Sequence, residues 1–158
     1  MHDRAQEFAD RARREYDFDV EVKEFPEGTK TAEDAAEAIG CDVAQIASSI
    51  AMQASDRLVV VVTSGANRVS KAKLADLLSI AESDVEMANA AEIKAALGWS
   101  IGGVPPFCHD AEVPIYLDET LTEFETVWAA AGTPEAVFPI APDELRDLSG
   151  AEVTDVAE

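Results

Sequence analysis

The residues best suited to chemistry lie in one short segment, 98–107, which reads GWSIGGVPPF. Glycine permits positive φ angles and lets a ligand approach the main chain closely. Each proline fixes its own φ and pushes the preceding residue into an extended conformation. The segment therefore predicts a rigid loop whose amide groups hold a carbonyl or phosphate oxygen. A tight turn between a helix and a strand, with no ligand, explains the same residues.

Two side chains of reactive type follow this loop. His109 is a candidate general base or substrate clamp, because imidazole titrates near neutral pH. A surface or hydrogen-bonding role is its alternative. Cys108 has no recognisable histidine–carboxylate partner, so we expect a packed small residue rather than a nucleophile. Because Cys41 and Cys108 lie far apart without CxxC or CxxH spacing, we expect no metal site and no cofactor.

Length and composition indicate one folded domain. The chain has 158 residues and is 47% hydrophobic, enough to bury a core. It has no apolar run as long as a membrane span, and its first residues are polar rather than typical of a signal peptide. We therefore expect a single domain over 1–158, with 1–20 as an N-terminal helical extension, in a cytoplasmic protein without a membrane partner.

The charge is strongly acidic, with 32 acidic and 12 basic residues and a net charge of −20. The acidic residues are dispersed, which is typical of a halophilic protein in molar salt, where the Debye length is about 3 Å. In ordinary salt this charge argues against nucleic-acid partners, since phosphate contacts need lysine and arginine. In a halophile that objection loses most of its force, although we expect no DNA partner. A solvated acidic surface unrelated to function is the alternative.

Periodicity and capping residues predict alternating helices and strands. The predicted helices are 3–16, 31–40, 42–46, 70–78, 89–98 and 142–150, and the predicted strands are 20–25, 58–63, 113–117, 126–131 and 137–140. Strands that follow one another near the C-terminus favour an α+β fold with a mixed sheet. The absence of G-x-G-x-x-G and G-x-x-x-x-G-K-[ST] patterns excludes a doubly wound nucleotide fold.

Six sequence blocks occur in a characteristic order. They are TAEDAA (31–36), CDVAQI (41–46), LVVVVTSG (58–65), KLA (73–75), GGVPP (102–106) and VWAAAGT (127–133). In this order the chain resembles the YbaK/aminoacyl-tRNA editing domain family, free-standing relatives of the domain inserted in bacterial prolyl-tRNA synthetase. The resemblance runs from about residue 22 to 156 and implies a single compact α+β domain with a mixed, barrel-like sheet flanked by helices.

The resemblance also implies a function, hydrolysis of a mischarged aminoacyl-tRNA in trans. The partner is then the 3′ acceptor end of an aminoacyl-tRNA, with an aminoacyl-tRNA synthetase as a second candidate. An activated ester needs mainly positioning and oxyanion stabilisation, which main-chain amides can supply. By this resemblance the loop residues are Gly102, Gly103, Val104 and Pro106, the size-sorting walls are Val62, Ile101 and Phe107, and the pocket is flanked by Thr31, Ser49, Gly132 and Thr133. Thr31 is equally well explained as a helix cap.

One position departs from the family pattern. Active members commonly carry lysine in a Gln-Ile-x-Lys-Ser segment, and Ser48 stands at that place. Serine cannot replace the charge, although its hydroxyl can orient a water or bond a ribose. Three interpretations follow: a branch with another substrate, a weak deacylase, or a module that binds aminoacyl-tRNA or a synthetase without hydrolysis. A local hydrogen-bonding role for Ser48 is the fourth.

A basic cluster stands out in so acidic a chain. Arg68, Lys71 and Lys73 predict a tRNA contact. Pairing of Lys73 with Asp76 on a helix surface is the alternative.

Overall fold

Helices and strands alternate along the chain, as the capping residues predict. The computed structural model describes residues 2–25 and 31–158. The helices are α1 (Asp3–Tyr16), α2 (Ala32–Ile39), α3 (Lys71–Leu78), α4 (Ala90–Leu97) and α5 (Pro142–Ser149). The strands are β1 (Lys23–Glu24), β2 (Ile46–Ala54), β3 (Arg57–Ser64), β4 (Val85–Met87), β5 (Ile115–Asp118), β6 (Val127–Ala130), β7 (Ala136–Ile140) and β8 (Glu152–Thr154). Three 3₁₀ turns connect them, at Val43–Gln45, Glu82–Asp84 and Glu119–Glu123.

One mixed sheet joins all eight of these strands. Its order is β1-β7-β6-β2-β3-β5-β8, and β4 pairs with β2 beside this path. The pairs β2–β6, β3–β5 and β5–β8 are parallel, and the other pairs are antiparallel. The predicted α+β domain with a mixed sheet is confirmed. Within the described ranges, no helix has the length and apolar character needed to cross a membrane.

Side-chain caps begin three of the helices where the sequence predicts them. Thr31 accepts a hydrogen bond from the backbone N–H of Asp34, Ser70 caps α3, and Asn89 forms a capping box with Glu92 at α4. Glycines in the left-handed conformation end α2, α4 and α5, at positions 40, 98 and 150. These local signals satisfy backbone groups that a helix terminus leaves unpaired.

Strand β2 was missed by the sequence prediction. The short helix expected at 42–46 is present as a 3₁₀ turn, Val43–Gln45, with Asp42 at its N-cap, but the nine-residue strand that follows it was not predicted. Strands β4 and β8 were also missed, and β1 has two residues instead of six. Strand β2 is rich in alanine and serine, which have low strand propensity, so its conformation comes from pairing and burial rather than from local preference.

Two apolar clusters lie on opposite faces of β3, which is buried on both sides as its valine run predicts. Val60 and Val62 belong to the main cluster, while Val59 and Val61 pack with Leu74 of α3. Helix α1 belongs to the main cluster as well. Its Phe8 is fully buried, with ring centroids 5.1 Å from Phe138, 5.5 Å from Phe107 and 6.1 Å from Trp99. Residues 1–20, expected to be an extension, therefore contribute a helix to the core.

Candidate functional site

An open notch in the sheet lies along one edge of β2. On its other edge β2 pairs with β3 continuously from Ala47 to Ala54. On the notch side, β6 pairs only with Ile46 and Ala47, and β4 pairs only from Met52 to Ala54. Within the described chain, residues 48–51 therefore have no strand partner on this edge. Those of their backbone groups that point toward this edge therefore lack a strand partner.

A cavity of about 280 Å³ opens over this notch. Three of its lining residues, Thr31, Ser48 and Ser49, carry hydroxyl groups, and none of the described lining residues is charged. Small apolar side chains dominate the rest, including the alanines at positions 32, 35, 47, 51, 88, 129, 130 and 136. A cavity with this lining fits a small uncharged group.

Ser49, a residue of the cavity lining, has a polar side-chain atom without a partner. Its Oγ is buried and has no hydrogen-bond partner among the described residues. Ala51 accepts a hydrogen bond from the N–H of Ala88 across the notch edge, at 3.1 Å. Every second residue of a strand directs its N–H and C=O to the same edge. Because Ala51 faces the notch, the N–H and C=O of Ser49, two residues earlier, face the notch as well. A buried hydroxyl without a partner costs about 1–3 kcal/mol, which a ligand's hydrogen bond would recover.

The glycine–proline loop forms the opposite wall of the cavity. Gly102 has φ of +87°, a conformation that favours glycine, and the N–H of Gly103 donates to the carbonyl of Ser100 at 3.0 Å. Ile101 is 55% exposed at the mouth, and Val104 is buried against the lining. The predicted tight loop is therefore present beside a cavity, which a simple helix-to-strand connection does not require.

The structure brings some of the predicted site residues to the cavity and leaves others outside it. Thr31, Ser48, Ser49, Ile101, Gly102 and Val104 line it. Val62, Gly103, Pro106, Phe107, His109, Gly132 and Thr133 do not. The cavity thus combines the strand segment around Ser48 with the first half of the loop.

Val62 and Phe107, predicted as size-sorting walls, lie in the main core instead. Val62 is fully buried, and the Phe107 ring lies 5.2 Å from Tyr16 and 6.0 Å from Phe138, centroid to centroid. The Phe107 ring is buried because the aromatic residues of α1 and β7 pack against it. The walls that could sort by size are the alanines of β2, β6 and β7.

Residues behind the loop fix its position by close contact. A Cβ on Gly103 would lie 2.7 Å from the Cα of Thr133, so only glycine fits there. A Cβ on Gly132 would lie 2.8 Å from both the carbonyl oxygen of Arg4 and the indole ring of Trp99. Gly103, Gly132 and Thr133 therefore support the loop from outside the cavity.

His109 and Cys108 also face away from the cavity. A ring nitrogen of His109, Nε2, hydrogen-bonds the carbonyl of Pro105 at 2.8 Å. Burial lowers the pKa of His109, and the nearby Arg11 guanidinium adds to that effect, against the Pro105 hydrogen bond and Asp110. Burial raises the pKa of the Cys108 thiol to about 12, which disfavours the nucleophilic thiolate at neutral pH.

A buried carboxylate supports the end of the notch where β2 begins. Asp118, fully buried, accepts hydrogen bonds from the Ser64 N–H, the Asn67 side chain and the Thr120 N–H, at 2.9–3.0 Å. Burial alone raises the pKa of Asp118, but these hydrogen bonds outweigh it and hold the pKa below 3.8. Ser64 in turn donates through Oγ to the Ala44 carbonyl, just before β2.

The predicted basic cluster lies away from the cavity lining. Lys73 is engaged by the C-terminal segment, since its Nζ bonds Asp155 at 2.8 Å and the Ala157 carbonyl at 2.6 Å. It pairs with this segment rather than with Asp76. Arg68 and Lys71 are exposed and make no ion pair with any described residue. A tRNA contact by Arg68, Lys71 and Lys73 stays a prediction.

The sequence reasoning missed the notch and the residues around it. Nothing in a run of alanine and serine signals an unpaired strand edge, because the gap depends on where β4 and β6 end. Met87, 57% exposed on β4, and Lys23, which lies over the Trp128 ring, were likewise not considered. An exposed large apolar residue beside short strands was the available signal for Met87.

The fold and the site define the class of protein. Residues 26–148 match the family model of the aminoacyl-tRNA editing domain. The chain belongs to this family, as the six sequence blocks indicate.

Particular relatives refine this assignment. The chain is similar to the uncharacterized protein YwhH of Bacillus subtilis (strain 168), 32% identical over 136 residues that cover 84% of this chain and 83% of YwhH. It is also similar to the proline–tRNA ligase of Bacillus pumilus, 30% identical over 141 residues, but it spans only 24% of that protein. A solved structure provisionally assigned as a trans-editing enzyme for prolyl tRNA synthetase superposes with a TM-score of 0.93 at 35% identity, covering 100% of this chain and 99% of the other. The hypothetical protein APE2540 shares the fold, with a TM-score of 0.85 at 23% identity over 96% of this chain and 99% of its own.

Proposed function

We propose that this chain is a trans-acting aminoacyl-tRNA deacylase, which hydrolyses the ester between a mischarged amino acid and the 3′ end of its tRNA. The observation that carries the proposal is the unpaired edge of β2 at Ser49, enclosed in an uncharged cavity. Family membership and the similarity to a trans-editing enzyme support the same reaction class.

The notch suits an aminoacyl ester. In the proposed mode, the Ser49 N–H donates to the ester carbonyl and stabilises the oxyanion that forms when water attacks. The Ser49 carbonyl accepts a hydrogen bond from the neutral α-amino group. The amino-acid side chain then lies among the alanines of β2, β6 and β7. Each methylene group too many would weaken binding there by about 1–3 kcal/mol through steric clash.

Among the described residues, the cavity lining offers no charged general base, since its polar side chains are hydroxyls. The reaction in this proposal therefore depends on positioning water and substrate, which suits an ester that is already activated. Ser48 supplies a hydroxyl where active relatives commonly have lysine.

The test is release of amino acid from a panel of correctly and incorrectly charged tRNAs. Molar KCl is the chosen medium, because the net charge of −20 is what we propose to be an adaptation to high salt. We expect the wild type to release amino acid from at least one mischarged tRNA. Silence from the wild type but activity in Ser48→Lys would favour a binding module that lacks the catalytic charge. Silence from both proteins would overturn the proposal.

Ser49→Ala sharpens this test. Removal of the orphan hydroxyl should slow deacylation at least tenfold while leaving the free energy of unfolding unchanged or about 1 kcal/mol higher, because an unsatisfied buried group disappears. Ser83→Ala, at an exposed serine of the second 3₁₀ turn, is the matched control and should change neither quantity. Equal rates for Ser49→Ala and the wild type would remove the hydroxyl from the mechanism.

A further inference from the structure

An exposed lysine lies beside the cavity wall, on a short strand ahead of the family-matched region. Lys23 of β1 pairs in register with Val137 of β7, and Val137 lines the cavity. The Nζ of Lys23 lies 5.0 Å from the ring centre of Trp128, which lines the cavity too. One cation is therefore held by two elements that form the cavity wall.

No carboxylate in the described part of the chain neutralises the charge of Lys23. The side chain makes no ion pair with any residue in 2–25 or 31–158, whereas Lys73 and Arg11 are each engaged by carboxylates. The Trp128 ring attracts the ammonium through its π face without neutralising it. Contact with the ring also limits the conformations of a long, flexible side chain, so less entropy is lost when an anion binds. In a chain with net charge −20, such a lysine beside an uncharged cavity is a specific place for an anionic group.

We propose that Lys23, held over Trp128, binds a backbone phosphate in the single-stranded 3′ end of the tRNA and directs the terminal nucleotide toward the cavity. This inference rests on the proposed deacylase function. In the described residues the cavity that receives the aminoacyl group carries no cation, so the anionic part of the substrate is bound outside it. Lys23 thereby supplies, from another strand, a positive charge that the chain lacks at Ser48.

Three variants separate charge from structure. Lys23→Met keeps an unbranched side chain over the ring and removes the charge, and Lys23→Arg keeps the charge. Lys94→Met is the matched control, because Lys94 is exposed on α4 and has no ion pair with a described residue. Each protein is assayed with an aminoacylated tRNA and with an ethyl ester of the same amino acid, which has no phosphate, between 0.1 and 1 M KCl.

We expect Lys23→Met to raise KM for the aminoacylated tRNA about tenfold near 0.1 M KCl, with kcat unchanged. Its salt dependence, log(1/KM) against log[KCl], should be shallower by about 0.7, the contribution of one phosphate contact on a single strand. Lys23→Arg should restore KM, and ethyl ester hydrolysis should be the same in all proteins. A general structural defect would instead lower the rates with both substrates. Equal KM values for Lys23→Met and the wild type, or an equal rise in Lys94→Met, would overturn the inference.

A binding measurement keeps the inference testable if the wild type hydrolyses nothing. A CCA-ending RNA oligonucleotide is titrated into the wild type and Lys23→Met at 0.1 M KCl. About tenfold weaker binding by the variant would support the phosphate contact although the deacylase proposal had failed. Equal binding, or no binding by either protein, would overturn the contact itself.

Discussion

The two walls of the cavity are built in different ways. The strand wall, residues 48–51 of β2, is fixed by its continuous ladder with β3 and leaves polar backbone groups and the Ser49 hydroxyl unpaired. The loop wall, residues 101–104, is fixed by steric contact, since Gly103 packs on Thr133 without space for a Cβ. The strand wall offers chemistry, whereas the loop wall sets the shape of the space in front of it.

This difference separates two kinds of requirement. At the loop wall the lack of a side chain on glycine matters most, because an added methyl group would collide with its neighbours and displace the loop. At the strand wall the polar groups matter most, because ligand hydrogen bonds depend on them. Substitutions in the loop wall should therefore change mainly stability, whereas substitutions in the strand wall should change mainly activity.

The largest effect should come from Gly103→Ala. Its Cβ would meet the Thr133 backbone at 2.7–2.9 Å, and backbone cannot move aside easily. We expect a loss of about 3 kcal/mol in the free energy of unfolding, measured by urea denaturation, together with loss of deacylation. Gly102→Ala is the matched comparison. Its Cβ has space, 3.4 Å from Pro134, so the cost should be only the left-handed strain of about 1–2 kcal/mol. Equal losses in the two variants would contradict the steric account of the loop wall.

A smaller, pH-dependent effect should follow from Asp118→Asn, which removes the carboxylate that supports the start of the strand wall. At neutral pH we expect a loss of about 2 kcal/mol, since charge-assisted hydrogen bonds are weakened. The wild-type pKa of Asp118 lies below 3.8, so its stabilisation is complete above that value and disappears as the pH falls through the lowered pKa. The difference in unfolding free energy between variant and wild type should therefore be constant from pH 5 to 7 and shrink below 3.8. A difference that is independent of pH down to 2 would show that the charge is irrelevant.

The contrast between the walls also explains what the sequence could predict. The conformation of the loop wall depends on residues close together in sequence, the glycines and prolines at 102–106, so local signals were enough to predict it. The helix caps at Thr31, Ser70 and Asn89 are local in the same sense. The family resemblance came from these blocks.

The strand wall could not be predicted, because it is defined by what β2 lacks. Its notch lies between Ala47, the last residue of β2 paired with β6, and Met52, which pairs with the last residue of β4; those partners are about 80 and 35 residues away in sequence. Alanine and serine in β2 carry no strong strand preference, so no strand was predicted there. The inward position of Phe107 likewise depends on α1, whose aromatic residues are about 90 residues earlier.

The smallest effect should come from His109, which lies behind the loop wall and tests whether a titratable group next to it takes part in catalysis. Its pKa is lowered from 6.5, so the folded state favours the neutral ring, and the stability this gives is present above pH 6.5 and lost as the pH falls through the lowered pKa. His109→Gln keeps a donor for the Pro105 carbonyl but has no such titration. We therefore expect equal deacylation rates at pH 7.5, and a stability gap between the proteins that changes only below about pH 6.5. A rate loss of tenfold or more at pH 7.5, with unfolding unchanged, would instead place His109 in the reaction and give the loop wall a chemical role of its own.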